Sequence, residues 1–294
     1  VNSNKANRMS IFLITCCAVL MAGILLGLVG YILYQGFSHI SLRFLTSDAS
    51  AFLAGGGIKN QLWNSFYILF ITMLFTVPLG IAGGIYMAEY AKPNKLTGFM
   101  RSCLEVLSSL PSIIVGMFGM LVFVNFFHWE YSILSGALAL TVFNLPVIVR
   151  VCEDALRSVP QDQRLSGLAL GLTKWHTIKK VLLPAAFPGI LTGLILSAGR
   201  VFGESAALLF TAGLSTPNLD FTNWNPLAPN SPLNVFRSAE TLSVHIWAVN
   251  ADSIIPDAKQ VAYGAAAVLV LCILLFNVSA RCLGRLVERK MTGK

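Results

Sequence analysis

Charge is what this sequence has least of. Only 12% of its 294 residues are Asp, Glu, Lys or Arg, against about a quarter in an ordinary soluble domain. A mean hydropathy of +0.72 goes with that deficit, and together they exclude a water-soluble globule. No G-x-x-x-x-G-K-[ST] phosphate loop occurs, so the chain is not expected to hydrolyse ATP. No nucleophile elbow or catalytic Cys/His pairing is present either. The four histidines (His39, His128, His176, His245) have no ligand spacing, which argues against a metal centre. The six cysteines lie in apolar runs or at their basic ends, so no disulfide framework is implied.

What is present is a series of apolar runs of about 20 residues, the length that crosses a bilayer. Six occur, at roughly 11–34, 62–88, 104–127, 132–150, 188–213 and 261–281. The first is preceded by Lys5 and Arg8 but exceeds a secretory h-region, and it reads as an uncleaved span. The basic residues are sorted by side. With the N-terminus inside, 16 of the 21 Lys and Arg fall in cytoplasmic segments and four (Arg43, Lys59, Arg237, Lys259) outside. That asymmetry orients the chain. It accounts for the net charge of +8 as a topology signal, leaving nothing for nucleic acid to explain. The expected fold is an all-α polytopic membrane protein with six transmembrane helices and both termini cytoplasmic. Residues 1–10 form an inner tail, 11–283 the membrane domain and 284–294 a basic inner tail.

Local signals refine this. Asn60 or Asn64 is a candidate cap for the second span. Pro78 and Pro146 are expected to bend the second and fourth spans. Gly80 and Gly84 form a small-xxx-small face suited to a packing seam. Two segments lie outside the membrane. The inner loop, 153–187, carries a capping box at Ser158 and Gln161 with Pro160 in the first turn. A short helix then runs to Gly171, a natural C′ residue, and Thr173 caps a second helix that is expected to stop at Pro184. The outer loop, 214–260, is turn-rich and then apolar, and part of it is expected to lie as an amphipathic element over the outer face.

The remaining basic residue, Arg200, lies within the fifth apolar run. Counted from Pro188 at 1.5 Å per residue, it sits about 18 Å deep, near the bilayer midplane. Glu204 follows four positions later, where a continuous helix places it on the same face with a salt bridge available. Such a pair rarely stabilises more than two apolar residues would. It is therefore read either as a register-fixing ion pair or as the lining of a translocation path. A guanidinium presents a planar fork matched to phosphate oxygens. Ser197 and Ser205 are candidate neutral donors beside it, and Gly199 and Gly203 leave room for a partner helix.

Several strings resemble a known family. Gly171, Val181, Leu183 and Pro184 reproduce the G-x9-V-x-L-P pattern of the EAA-x3-G-x9-I-x-L-P loop of ABC importer permeases. VPLGIAGGIYMAEYA (77–91), LPSIIVGMFG (110–119) and LILSAGRVFGESAALLFTAG (194–213) are similar to PstA-type permease subunits of bacterial phosphate-specific importers. The chain departs from the pattern at Leu165, Ser166 and Gly167, which stand where the family has Glu-Ala-Ala. The resemblance implies a multi-pass permease of the bacterial cytoplasmic membrane, surrounded by lipid. It implies partnership with a homologous PstC-type permease, a PstB-type ATPase dimer and an extracytoplasmic phosphate-binding protein. ATP and Mg would be bound by the ATPase, with no cofactor in this chain. Phosphate would pass between the two permeases. Permeases of the same build for sulfate, molybdate or phosphonate, and a stand-alone secondary transporter or channel, are the competing readings.

Overall fold

The computed structural model describes residues 3–50, 55–252 and 255–292 together with Ala54. All regular structure among them is helical. Five helices are long and apolar enough to cross a membrane, and a bent pair makes up to six. The first is α1 (Ser3–Phe37), exposed along most of its length and anchored at its outer end, where Gly36 lies against Tyr263. A short helix, α2 (Leu42–Thr46), is capped by Ser41, whose hydroxyl accepts from Phe44 N.

The centre of the bundle is the seam between α3 (Lys59–Ile85) and α6 (Ile133–Arg157). A methyl placed on Gly80 would lie 2.4 Å from Ile148 Cγ2, and one on Gly84 2.4 Å from Cys152 Cβ. The small-xxx-small face is thus filled by this chain's own fourth span, as expected of a packing seam. Pro78 and Pro146 both sit inside helices that continue past them. A π-helical turn (Tyr86–Tyr90) extends α3 at its inner end. Asn60 and Asn64 do not cap α3. Its N-cap is Ile58, and both asparagines are buried one and two turns in.

The third apolar run is not a straight helix. α4 (Lys95–Ser109) and α5 (Ser112–Gly119, continued by a π turn to Phe126) meet at 103°. Pro111 causes the break: it forces Leu110 to extended geometry (φ −67°, ψ 135°). α4 carries Lys95, Arg101 and Glu105, so the more apolar arm of the bent pair is α5 with its π turn.

The inner loop forms a helical hairpin of α7 (Gln161–Ala169) and α8 (Lys174–Thr177). The expected capping box is absent. Ser158 closes α6 by donating to Ala155 O, and Pro160 is the N-cap of α7 without a side-chain bond. The hairpin turn is as expected: Gly171 adopts φ +77°, and Thr173 Oγ1 accepts from His176 N at 3.4 Å. The second helix does not stop at Pro184. A π-helical turn (Ile178–Leu182) joins α8 to α9 (Leu183–Gly203), giving one apolar stretch over Lys174–Gly203. Widening the turn next to the proline accommodates its missing N–H.

The fifth run does break, at its outer end. α9 stops at Gly203, Glu204 is extended (φ −73°, ψ 127°), and a four-residue helix α10 (Ala206–Leu209) follows. Beyond the outer loop, α11 (Leu242–Asp252) is tucked into the bundle, with Leu242, Val244, His245 and Val249 buried. It is an integral part of the outer core rather than a covering lid. Helix α12 (Ala258–Thr292) completes the bundle and packs on α1, α9 and α11.

Candidate functional site

Arg200 lies in the last turn of α9, is exposed, and stacks its guanidinium 4.0 Å above the ring of the buried Phe143. A cation in the last helical turn is favoured by the helix dipole, and stacking on an aromatic face adds to that. Its N–H donors find no acceptor among the described residues. The expected partner is elsewhere. The ion pairs among the described residues do not include Arg200 with Glu204. The reason is backbone: ending α9 at Gly203 takes Glu204 out of the i, i+4 register. Glu204 instead accepts from Ala207 N at Oε1 (3.4 Å), and its carbonyl accepts from Ser243 Oγ at 2.7 Å.

Ser197 is 2% exposed and donates to Asn144 Oδ1 at 3.2 Å, tying α9 to α6. Ser205 is half-buried at the start of α10 and makes no side-chain cap. Gly199 faces Asn277 of α12, whose Nδ2 lies 3.6 Å from where a Cβ would stand. The structure therefore gathers Arg200, Phe143, Glu204 and Ser205 around a helix break and withdraws Ser197 into the core. Non-helical backbone at membrane depth is tolerated where protein or a water-filled cavity satisfies it.

At the basic end, the hairpin residues singled out by pattern occupy three settings. Leu165 and Ser166 are exposed on α7, while Gly167 is buried with Thr177 Cγ2 2.7 Å from its missing Cβ. Gly171 makes the left-handed turn in open space. Val181, Leu183 and Pro184 are half-buried around the π turn and the start of α9. Leu165, Leu168, Leu170 and Trp175 leave 61%, 46%, 82% and 51% of their surface exposed, an apolar crest on the hairpin.

Pattern reading missed two polar networks, because each joins residues far apart in sequence. At the outer end, Arg237 is 5% exposed and fully engaged. Its Nη2 donates to Asn64 Oδ1 at 2.8 Å and to Pro232 O, its Nε to Ser231 O, and its Nη1 to Ser238 O. Burial pulls its pKa down to about 10, which leaves it charged at neutral pH. Beside it, Glu240 accepts from Gln61 Nε2 at 2.7 Å and lies 2.9 Å from His245 Nδ1. At the basic end, Glu153 holds Arg101 at 2.6 Å and Arg157 at 2.9 Å, and Glu89 holds Arg164 at 2.8 Å. Among the described residues no group of three or more His, Cys, Asp or Glu is placed to hold a metal.

The fold is a helical membrane bundle with a helical hairpin on its basic face and an exposed arginine at the broken outer end of α9. The comparisons make the class specific. Residues 80–293 match the family described as binding-protein-dependent transport system inner membrane component. The chain belongs to that family: it is the membrane permease subunit of a bacterial ABC importer, a multi-pass inner-membrane protein that is not itself catalytic. It is 59% identical over 293 residues to the probable ABC transporter permease protein YqgI of Bacillus subtilis, covering all of both chains. It is 33% identical over 251 residues to the phosphate transport system permease protein PstA of Xylella fastidiosa, covering 85% of this chain and 82% of that one. Among solved structures, a bacterial alginate ABC transporter aligns with TM-score 0.62 at 12% identity over 97% of this chain and 98% of that one. The MetNI methionine ABC transporter aligns with TM-score 0.57 at 19% identity over 79% and 94%. These likenesses are of fold.

Proposed function

We propose that this chain is the phosphate-conducting permease of its importer and that Arg200 is the group that meets the anion. The observation that carries this reading is an exposed guanidinium in the last turn of α9, with no acceptor among the described residues, stacked on Phe143 beside a broken helix. An arginine within an apolar span is costly, and the helix dipole and the Phe143 face offset that cost without using its N–H donors. Its planar fork suits two oxygens of a tetrahedral oxyanion. Glu204, with only a long contact to Ala207 N, is the acceptor for the hydrogen of a protonated phosphate, and Ser205 a neutral donor. The 33% identity to PstA proteins favours phosphate among oxyanions.

The partners follow the same reading: a PstC-type permease facing α9, a PstB-type ATPase dimer beneath and an extracytoplasmic phosphate-binding protein above. ATP and Mg belong to the ATPase. The exposed Leu165, Leu168, Leu170 and Trp175 supply an apolar crest for the ATPase groove, so that at this hairpin apolar burial takes the place of an acidic anchor at Leu165. ATP-driven closure of the ATPases would pull the hairpin and open the path outward. The test is ATP-dependent uptake of labelled phosphate by the reconstituted complex, with arsenate and sulfate as competitors. Phosphate accumulation blocked by arsenate and not by sulfate is expected. Uptake blocked equally by sulfate would assign the permease to another oxyanion, and uptake without ATP would remove it from the coupled reading.

A further inference from the structure

The inner end of α3 is gripped from three sides by basic side chains that belong to other elements. Arg157, at the end of α6, donates from Nη2 to Met87 O at 3.3 Å. Arg164 of α7 places Nη2 2.8 Å from Glu89 Oε1, with the Glu89 side chain 4% and the Arg164 side chain 29% exposed. Lys174 of α8 donates to Glu89 O and lies 4.7 Å over the Tyr90 ring. All three meet the π-helical turn Tyr86–Tyr90, where the last carbonyls of α3 lack helical partners and the negative end of the helix dipole attracts cations. The two hairpin helices pack closely, because Gly167 lets α7 close onto Thr177. Glu89 is the one carboxylate in this contact, and it is remote in sequence from the hairpin that holds it.

We infer that Glu89 and Arg164 form a clamp that carries displacement of the ATPase-facing hairpin into α3, making both positioning residues for coupled transport. The inference rests on the reading that the hairpin receives the ATPase. Covalently, the hairpin joins only α6 and α9. Contact with the third helix comes from Ile178 and Leu182 packed with Ile85, from Lys174 on Glu89 O, and from Glu89–Arg164, the one ion pair among them. α3 is in turn sealed to α6 through Gly80 and Gly84. A push on the hairpin then moves α3, α6 and α9 together instead of bending the loop. The acid that the family pattern has at position 165 is absent here, and the acid that engages this hairpin comes from the second span.

The experiment uses the assembled complex in liposomes, with labelled phosphate uptake and ADP release measured in parallel. Glu89→Gln and Arg164→Gln are each expected to leave the ATPase bound and ADP release near its native rate. Uptake per ADP should fall about tenfold, within the range of mutations along coupling networks. The double variant should be no worse than either single one, as for residues acting through one contact. An unchanged ratio, or losses that multiply, overturns the clamp. A second measurement leaves the pair intact and needs no substrate: spin labels at Leu79→Cys and Gln161→Cys, in a chain whose exposed native cysteines are replaced by Ser, report the distance between α3 and the hairpin. A distance unaltered by ATP is expected, and one that changes on ATP binding contradicts the clamp. The docking reading is tested separately by Gly171→Asp, expected to weaken ATPase co-purification. Undiminished co-purification and uptake there would count against docking and not against the clamp.

Discussion

Arg237 and Arg200 are both arginines in a chain that avoids charge, and their surroundings are opposite. Arg237, near the outer face, is 5% exposed and gives its donors to three carbonyls and the Asn64 amide oxygen. It stitches the 231–238 turn to α3. Arg200, in the last turn of α9, is exposed, rests on Phe143 and has no acceptor among the described residues. Burial alone does not mark a functional charge. A guanidinium whose hydrogen bonds are all made within the fold holds structure, and one whose donors are open is free to serve the ligand role proposed for Arg200. At the basic end, Arg101, Arg157 and Arg164 are each paired with a carboxylate.

That contrast is open to breaking. Arg237→Leu should have the largest effect on folding, because Asn64 Oδ1 and three carbonyls lose their donor in a buried place. The cost is about 3 kcal/mol or more, read as a lower unfolding temperature and lower yield of assembled complex. Arg200→Lys should leave the unfolding temperature unchanged and cut phosphate uptake about tenfold, the loss of one charge-assisted hydrogen bond from the fork. Phe143→Leu should sharpen the comparison with the smallest effect. It keeps the core filled and removes the stacking face, raising the KM for uptake roughly twofold to fivefold. If Arg237→Leu assembled normally while Arg200→Lys lowered the unfolding temperature, the two roles would be reversed.

Much of the architecture was legible because it depends on composition. Apolar length located the spans, and the sorting of Lys and Arg oriented them. Gly171 and Thr173 marked the hairpin turn because left-handed backbone and helix capping have local residue preferences. The errors arose where a break depends on one residue or on distant partners. Apolar counting gave 104–127 as one span without the 103° bend that Pro111 makes in it. The i, i+4 pairing of Arg200 with Glu204 assumed a helix that Gly203 and Ser205 interrupt. The Ser158–Gln161 spacing matched a capping box that Pro160 replaces at the N-cap. Nothing local foretold that Arg237 would find Asn64, or Arg164 Glu89, since those contacts exist only once the helices pack.

The central claim, that Arg200 is open in order to bind the transported anion, is met most directly by one comparison. Complexes carrying native Arg200 or Arg200→Ala are purified, shown to contain equal amounts of ATPase, and assayed in liposomes for ATP-driven uptake of labelled phosphate. The account predicts equal assembly with uptake abolished in the alanine variant. Normal uptake by the assembled Arg200→Ala complex would contradict it.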